Sequence, residues 1–360
     1  MSKRARTSRH IIYSFLYKKY FSAANLISLS LTHVSLSLMA VFLSYDNQTL
    51  QDGLGAQALR ITGIYAIAKA FGLKYLHQPI THVIEDVGQG PDGDSNQETL
   101  IANFNDFFNF PSSREPKSSA NKISIRDLNL RVLLKTLLKQ SFSRSDLVVS
   151  VLLPQGVINR IPLLYKVSAK YLRKSNKNLM ALHFSNDIVA HVRRGYDEKY
   201  ADLKYARNRH LPFSYYSDIL EVLITKRMVI DGSRLLIHTD LLNSPKTWAP
   251  SQPGIVDGFN KNSGSSGEKK IYLEAFDLSK EIAIPSMLIG DIRYCDPLFN
   301  TFLDMCNAKV LIQGKSAFSY LAGIVNPNLV IYPPKQSMAK LNRWKSAEEL
   351  GVQLKDPLLG

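Results

Sequence analysis

Ile188-Val189-Ala190-His191-Val192-Arg193-Arg194-Gly195 is an apolar run that ends in a histidine, two arginines and a glycine. It reads as a buried strand whose tip faces an anion. Side chains alternate along a strand, so Arg193 and Arg194 point to opposite sides if the strand continues. One arginine then reaches into a cleft while its neighbour braces the fold. The carboxyl end of a strand is where open α/β sheets bind ligands. A planar guanidinium matches phosphate oxygens better than an ammonium does. The competing reading is an Arg-Arg pair held in surface salt bridges.

The totals agree with an anionic partner. A chain of 360 residues is long enough for two domains, each with its own core. Its 45% hydrophobic and 21% charged content are ordinary, but its net charge of +15 is not. That charge suits a nucleoside diphosphate, an acidic glycan, nucleic acid or membrane headgroups. No compact DNA- or RNA-binding motif is visible, which speaks against nucleic acid. Cys295 and Cys306 have neither zinc spacing nor the number needed for a disulfide framework, so they read as thiols in or near a core. Such thiols are compatible with a reducing compartment.

Lys3, Arg4, Arg6 and Arg9 precede an apolar-leaning stretch that carries Asn25, His33 and many Ser and Thr. That stretch is too polar for a spanning helix. Alternation from Ile27 to Leu38 is a strand period, and Leu36 to Leu43 reads as the first buried strand. The expectation is a cytoplasmic protein. Peripheral contact between its basic arm, residues 1–34, and an anionic inner membrane face stays open.

After the first strand comes Asp52-Gly53-Leu54-Gly55-Ala56-Gln57, which opens a helix running to Phe71 with Gly72 as its stop. Strand, glycine turn and helix let backbone approach a ligand, and a helix N-terminus favours negative charge. A tight turn without a ligand is the plainer reading. Residues 85–126 read as a long surface excursion whose Phe104, Phe107, Phe108 and Phe110 dock on the first domain. A helix over Asp127–Gln140, a strand over Leu147–Leu153 and a helix ending near Lys174 follow.

The second domain starts with the strand into His191. It continues with a helix over Phe213–Lys226, a strand over Arg234–His238 and the turn at Asp240. A second polar excursion spans 241–269. Strands over Ile271–Phe276, Met287–Ile289, Lys309–Ile312 and Leu329–Tyr332 alternate with helices over Pro297–Asn307 and Ser316–Ile324. This alternation implies mostly parallel sheets. In Gln313-Gly314-Lys315-Ser316-Ala317-Phe318-Ser319, Ser316 is an N-cap candidate, at a place where free N–H groups can also hold phosphate.

Three stretches carry a resemblance. His191-Val192-Arg193-Arg194-Gly195 resembles the His-x-Arg-Arg-x-Asp signature of the α1,2-, α1,6- and protein O-fucosyltransferase superfamily, with Tyr196 where Asp is usual and Asp197 one residue late. Gly53-Leu54-Gly55-Ala56-Gln57 and Tyr75-Leu76-His77-Gln78-Pro79 resemble segments of its bacterial members, and the uncharacterised polysaccharide-type relatives most of all. Ser316-Ala317-Phe318-Ser319 resembles the superfamily's Ser-Ser-Phe-Ser motif. Lys309 stands where many members have an Asp that reads guanine.

The resemblance implies a GT-B fold: two Rossmann-like α/β domains, residues 35–176 and 177–360, facing each other across a cleft. It implies transfer of a sugar, fucose from GDP-fucose, to a glycan or polysaccharide by inversion, with no metal and no cofactor beyond the donor. Arg193 and His191 would be catalytic. Arg194, Gly53, Gly55, Gln57, Asp240, Ser316, Phe318 and Ser319 would hold the donor, though Asp240 reads equally as a turn cap. His77 would face the acceptor or be a core histidine. The alternative is a glycosyltransferase-fold protein that binds nucleotide or glycan without catalysis.

Overall fold

The computed structural model describes residues 40–47, 53–83, 97–140, 145–182, 187–193, 211–239, 246–248, 271–273, 277–294 and 296–352. The basic arm, most of the strand expected over Leu36–Leu43, and Arg194, Tyr196, Asp197 and Asp240 lie outside these residues. The chain divides into two compact units. The first comprises residues 1–51, 57–81 and 105–175; the second comprises 52–56, 82–104 and 176–360.

The first unit is built on a four-stranded sheet in the order β2-β1-β4-β3, parallel throughout. Strand β1 (Val41–Tyr45) is buried along its length. Helix α1 (Leu54–Phe71) follows and ends at Gly72, whose φ of +71° is the left-handed stop expected there. After β2 (Lys74–Leu76) and α2 (Gln97–Phe107) comes β3 (Asn121–Asp127), inside the stretch read as a loop excursion. This strand is exposed on both faces, so Asn121-Lys122-Ile123-Ser124-Ile125-Arg126-Asp127 never had to show apolar alternation. Helix α3 (Leu130–Gln140) then leads to β4 (Leu147–Leu153), which pairs with both β1 and β3. The helical path expected from Pro154 to Lys174 is broken at Pro162, where a 3₁₀ turn precedes α4 (Tyr165–Ser175).

The second unit carries a six-stranded sheet in the order β12-β11-β10-β5-β6-β9, again parallel throughout. Its members are β5 (Ile188–Val192), β6 (Arg234–Thr239), β9 (Ile289–Tyr294), β10 (Val310–Ile312), β11 (Leu329–Tyr332) and β12 (Lys345–Ser346). Counted from β5, this sheet is doubly wound, 3-2-1-4-5-6, with its topological switch between β5 and β10. Residues 271–273, expected in the main sheet, instead form β8 (Ile271–Leu273), antiparallel to β7 (Lys246–Trp248) in a separate ladder.

Ile188, Ala190 and Val192 share a core with Tyr215, Tyr216, Ile219 and Leu223 of α5 (Phe213–Thr225). The intervening residues, His191 included, therefore face the other side of the sheet. The remaining helices used below are α6 (Leu298–Asn307) and α7 (Ala317–Val325). Asn326 ends α7, and its side chain donates to the carbonyls of Met305 and Ala308, tying α6 to the start of β10. The α/β class and the two parallel-sheet halves expected of the chain are thus what it forms. Among the described residues, no helix is long and apolar enough to cross a membrane.

Gly72 meets nothing within 4 Å where a Cβ would lie, so a substitution there tests backbone conformation alone. Gly72→Ala should cost about 1 kcal/mol, because an L side chain is disfavoured at this φ. Urea unfolding of the two proteins measures the difference.

Candidate functional site

The site follows from a mismatch in strand length. Ile312 pairs with Ala190, and there β10 stops while β5 runs on through His191 and Val192 to Arg193. The chain leaving β10 has to turn across the end of β5. Glycine is required at that turn: a Cβ on Gly314 would lie 2.6 Å from the His191 carbonyl oxygen. Tyr216 of α5 donates its hydroxyl to the same carbonyl at 3.0 Å, so the backbone of His191 is fixed from both sides. Arg193 is half-buried, one residue past the end of the strand.

Beyond the turn, Ser316 caps α7, its hydroxyl accepting from the amide of Phe318 at 3.1 Å. Ser319 donates to the carbonyl of Gly314 at 3.0 Å, which ties the helix back to the turn. The Ser319 hydroxyl donates to backbone whereas that of Ser316 only accepts, so the turn can offer an anion the Ser316 O–H and the N-terminus of α7. The Phe318 ring lies tilted against His191, ring centres 5.8 Å apart, and against Phe104 and Phe302 at 6.2 and 5.8 Å.

The glycine turn of the sequence reaches the same place. Residues 52–56 belong to the second unit, although the rest of α1 belongs to the first. A Cβ on Gly55 would fall 2.8 Å from the Cα of Phe318, so the backbone at the start of α1 lies directly on the first turn of α7. His191, Gly55, Ser316, Phe318 and Ser319 are therefore gathered at one end of one sheet, with Gly53 two residues from the contact and Arg193 two residues beyond His191. Gln57 and His77 belong to the first unit. There Gln57 is buried beside the Tyr45 hydroxyl. His77 lies 3.0 Å from the Tyr75 hydroxyl through Nδ1. Phe110 docks on the first unit against Tyr65 as expected, but Phe104 packs on Phe299 and Phe302 of the second.

Sequence reading missed a neighbour of this site. His238 on β6 is in register with His191 on β5 and with Arg293 on β9, and the three form a row across the sheet. Buried His238 has Asp304 of α6 at 3.0 Å from Nε2 and the Thr301 hydroxyl at 3.2 Å from Nδ1. Arg293 lies 3.4 Å from Asp296 and 3.6 Å from Asp304. His238, Asp296 and Asp304 have the donor set and spacing to hold a cation, with ligand atoms within 4.8 Å of one another. Arg293 already supplies the counter-charge that a cation would bring. The available signal was Asp304, three residues after Thr301 and so on the same face of a helix otherwise lined by Phe302, Leu303 and Met305. Lys309, which stands where many members of the superfamily have an Asp, lies before β10 at the amino end of the sheet and pairs with Asp187. Cys306 is a buried free thiol, with its pKa pushed up by burial, while Cys295 lies outside the described residues.

No family model and no curated protein matches the chain. Among solved structures it is similar to POFUT1 in complex with GDP, at 12% identity over 86% of this chain and 98% of that one, with a TM-score of 0.37. It is also similar to NodZ α-1,6-fucosyltransferase soaked with GDP-fucose, at 11% identity over 84% and 98% of the two chains, TM-score 0.33. A third is Escherichia coli heptosyltransferase WaaC with ADP-2-deoxy-2-fluoro heptose, at 10% identity over 87% and 96%, TM-score 0.33. Identities of this size transfer no residue roles.

Two measurements check the geometry. Gly55→Ala and Gly314→Ala each press a methyl group onto backbone and should destabilise by about 1–3 kcal/mol, the usual cost of overpacking, in denaturant titrations.

The second concerns pH. Burial holds the pKa of His77 below its ordinary value, and burial first, then Tyr65, raises that of Tyr75. Tyr75 thus keeps its proton beside a His77 ring held neutral. Because the folded pKa of His77 is depressed, unfolded chains take up a proton that folded chains refuse. His77 therefore costs stability as pH falls below about 6.5, and has no such effect above it. His77→Gln should lose less melting temperature than wild type between about pH 7.5 and about pH 5.

Proposed function

We propose that this chain is a glycosyltransferase that displaces a nucleoside diphosphate from the anomeric carbon of a sugar. The observation that carries the reading is the topological switch of the second sheet. Strands are added on opposite sides of β5 and β10 there, and the residues at that point are His191, Arg193 and the capped N-terminus of α7. Doubly wound sheets bind ligands in such crevices. A guanidinium and a helix N-terminus both favour the negative charge of a diphosphate.

In this reading the donor is a nucleotide sugar, with GDP-fucose the first choice, and the acceptor is a glycan. The acceptor hydroxyl forms a bond to the anomeric carbon as the bond to the diphosphate oxygen breaks. The electron pair leaves with the diphosphate, whose growing charge is met by Arg193. Its guanidinium takes the β-phosphate, oriented by His191 and Arg194, and supplies fixed positive charge without a metal. Gly53, Gly55, Ser316, Phe318 and Ser319 shape the phosphate end through backbone, and Asp240 touches the nucleotide. Gln57 and His77, in the first unit, are assigned to the donor and the acceptor. The proton lost by the hydroxyl passes to the departing diphosphate, and the anomeric configuration inverts. The two units would form the two halves of a GT-B enzyme.

A binding protein without catalysis draws on three departures from the signature, namely Tyr196, Ala56 and Lys309. The last loses its weight, because Lys309 pairs with Asp187 at the opposite end of the strand. Arg193→Ala should lower transfer from GDP-fucose by about 10²–10³, with an unchanged far-ultraviolet circular dichroism spectrum. Undiminished turnover in that variant would overturn the assignment; GDP binding without turnover in the wild type would favour the binding protein.

A further inference from the structure

The amino end of the second sheet, away from the candidate site, carries apolar side chains that the fold leaves outside. Among the described residues five large apolar side chains are exposed, Ile123, Leu163, Met228, Ile230 and Ile289, and the last three surround one turn. That turn, residues 226–233, leads from the end of α5 into β6. The Ser233 amide donates to the carbonyl of Ile230, and the Ser233 carbonyl accepts from the amide of Ile289 at the start of β9, each at 3.0 Å. Ile230, 75% exposed, is thus tied through Ser233 to Ile289, 62% exposed. Met228 stands two residues before Ile230. Neighbouring Val229 and Leu288 are buried in the core, so the turn is anchored by alternate residues while these three stay outside.

Hydrogen bonds fix the backbone that presents them. The amides of Arg227 and Met228 donate to the carbonyls of Ile224 and Leu223 at 2.8 and 2.9 Å, which closes the end of α5. Arg227 takes φ +54°, a conformation that glycine usually supplies at a helix end. The apolar residue after such an end frequently packs back on the helix, yet Met228 is exposed.

Basic residues border the cluster. Lys226 and Arg227 precede Met228, and both are exposed. Exposed Arg234 is in register with Ile289 on the neighbouring strand, so the two side chains leave the sheet on the same face. Asp187 and Asp291 are engaged by Lys309 and Arg293. The turn itself carries Asp231 against Lys226, Arg227 and Arg234.

Three side chains offer on the order of a few hundred Å². A specific protein–protein interface buries about 1,000 Å² or more. Apolar side chains on a fixed turn, bordered by arginine and lysine, suit instead the boundary between headgroups and acyl chains of an anionic bilayer. We infer that this turn, together with Ile289, is a docking surface for an anionic lipid bilayer. Met228, Ile230 and Ile289 enter the acyl boundary, and Lys226, Arg227 and Arg234 meet the headgroup phosphates. The surface lies at the amino end of the sheet, so a docked chain keeps the carboxyl end, with His191 and Arg193, open to water. It is distinct from the basic arm, and it holds whatever reaction the chain performs.

Sedimentation of the full chain with vesicles tests this, using phosphatidylcholine alone and phosphatidylcholine mixed with phosphatidylserine. Wild type should sediment with the mixed vesicles, less so as salt rises, and stay in solution with phosphatidylcholine alone. Ile230→Ser combined with Ile289→Ser should weaken binding about tenfold or more. Arg227→Gln and Arg234→Gln should each weaken it about fivefold at low salt. All four positions are exposed, so these variants should melt as wild type does. Wild type that stays in solution with both lipids would overturn the inference. Binding that survives all these substitutions would assign lipid contact to another part of the chain and overturn it equally. Self-association that the double isoleucine variant abolishes, without lipid binding, would make this face an interface between copies of the chain instead.

Discussion

The second unit depends on one close approach of backbone to backbone, the Gly314 turn lying on the carbonyl of His191. Strands on either side of β5 and β10 are laid down in opposite directions across the sheet, so connecting segments diverge from this seam and leave a crevice above it. The seam stays closed at its base because glycine has no Cβ to hold β10's exit away from β5. Tyr216 satisfies the carbonyl that the turn covers, so that it is not buried without a donor. Once this contact is made, the positions of Arg193, Lys315 and the start of α7 follow from chain connectivity over two or three residues.

Charge in the same unit is arranged asymmetrically along the strands. At the amino end, Lys309 is matched by Asp187, which also accepts from the backbone of Arg234. At the carboxyl end, His238, Asp304, Asp296 and Arg293 form a connected polar row on one side of the switch. Lys315 and Lys335 lie on the other side. The excess of basic residues seen in the composition is therefore not spread evenly over this unit.

Legibility in the sequence depended on whether the cause was local. The limits of α1 could be read because an apolar helix ends at a glycine with a left-handed φ, and the cap at Ser316 because serine before an apolar helix does one common thing. β4 and β11 were legible as short apolar runs. β3 was not, since an edge strand exposed on both faces has no burial to impose a pattern. The pairing of His238 with Asp304 joins residues 66 apart, and only the sheet register and α6 bring them together. Membership of Phe104 in the second unit is likewise a tertiary fact. Its ring meets Phe299 and Phe302, some two hundred residues further along the chain.

Gly55 shows how the two kinds of information meet. As sequence, a Gly-x-Gly at a helix start signals only that backbone comes close to something. In the fold, that something is the first turn of α7, so two helix N-termini abut at Phe318. Each N-terminus carries partial positive charge and unsatisfied N–H groups. Bringing two of them together is unfavourable unless negative charge is placed near both. The glycine and the cap thus share one place: among the described residues, both helix N-termini meet at the carboxyl end of this sheet.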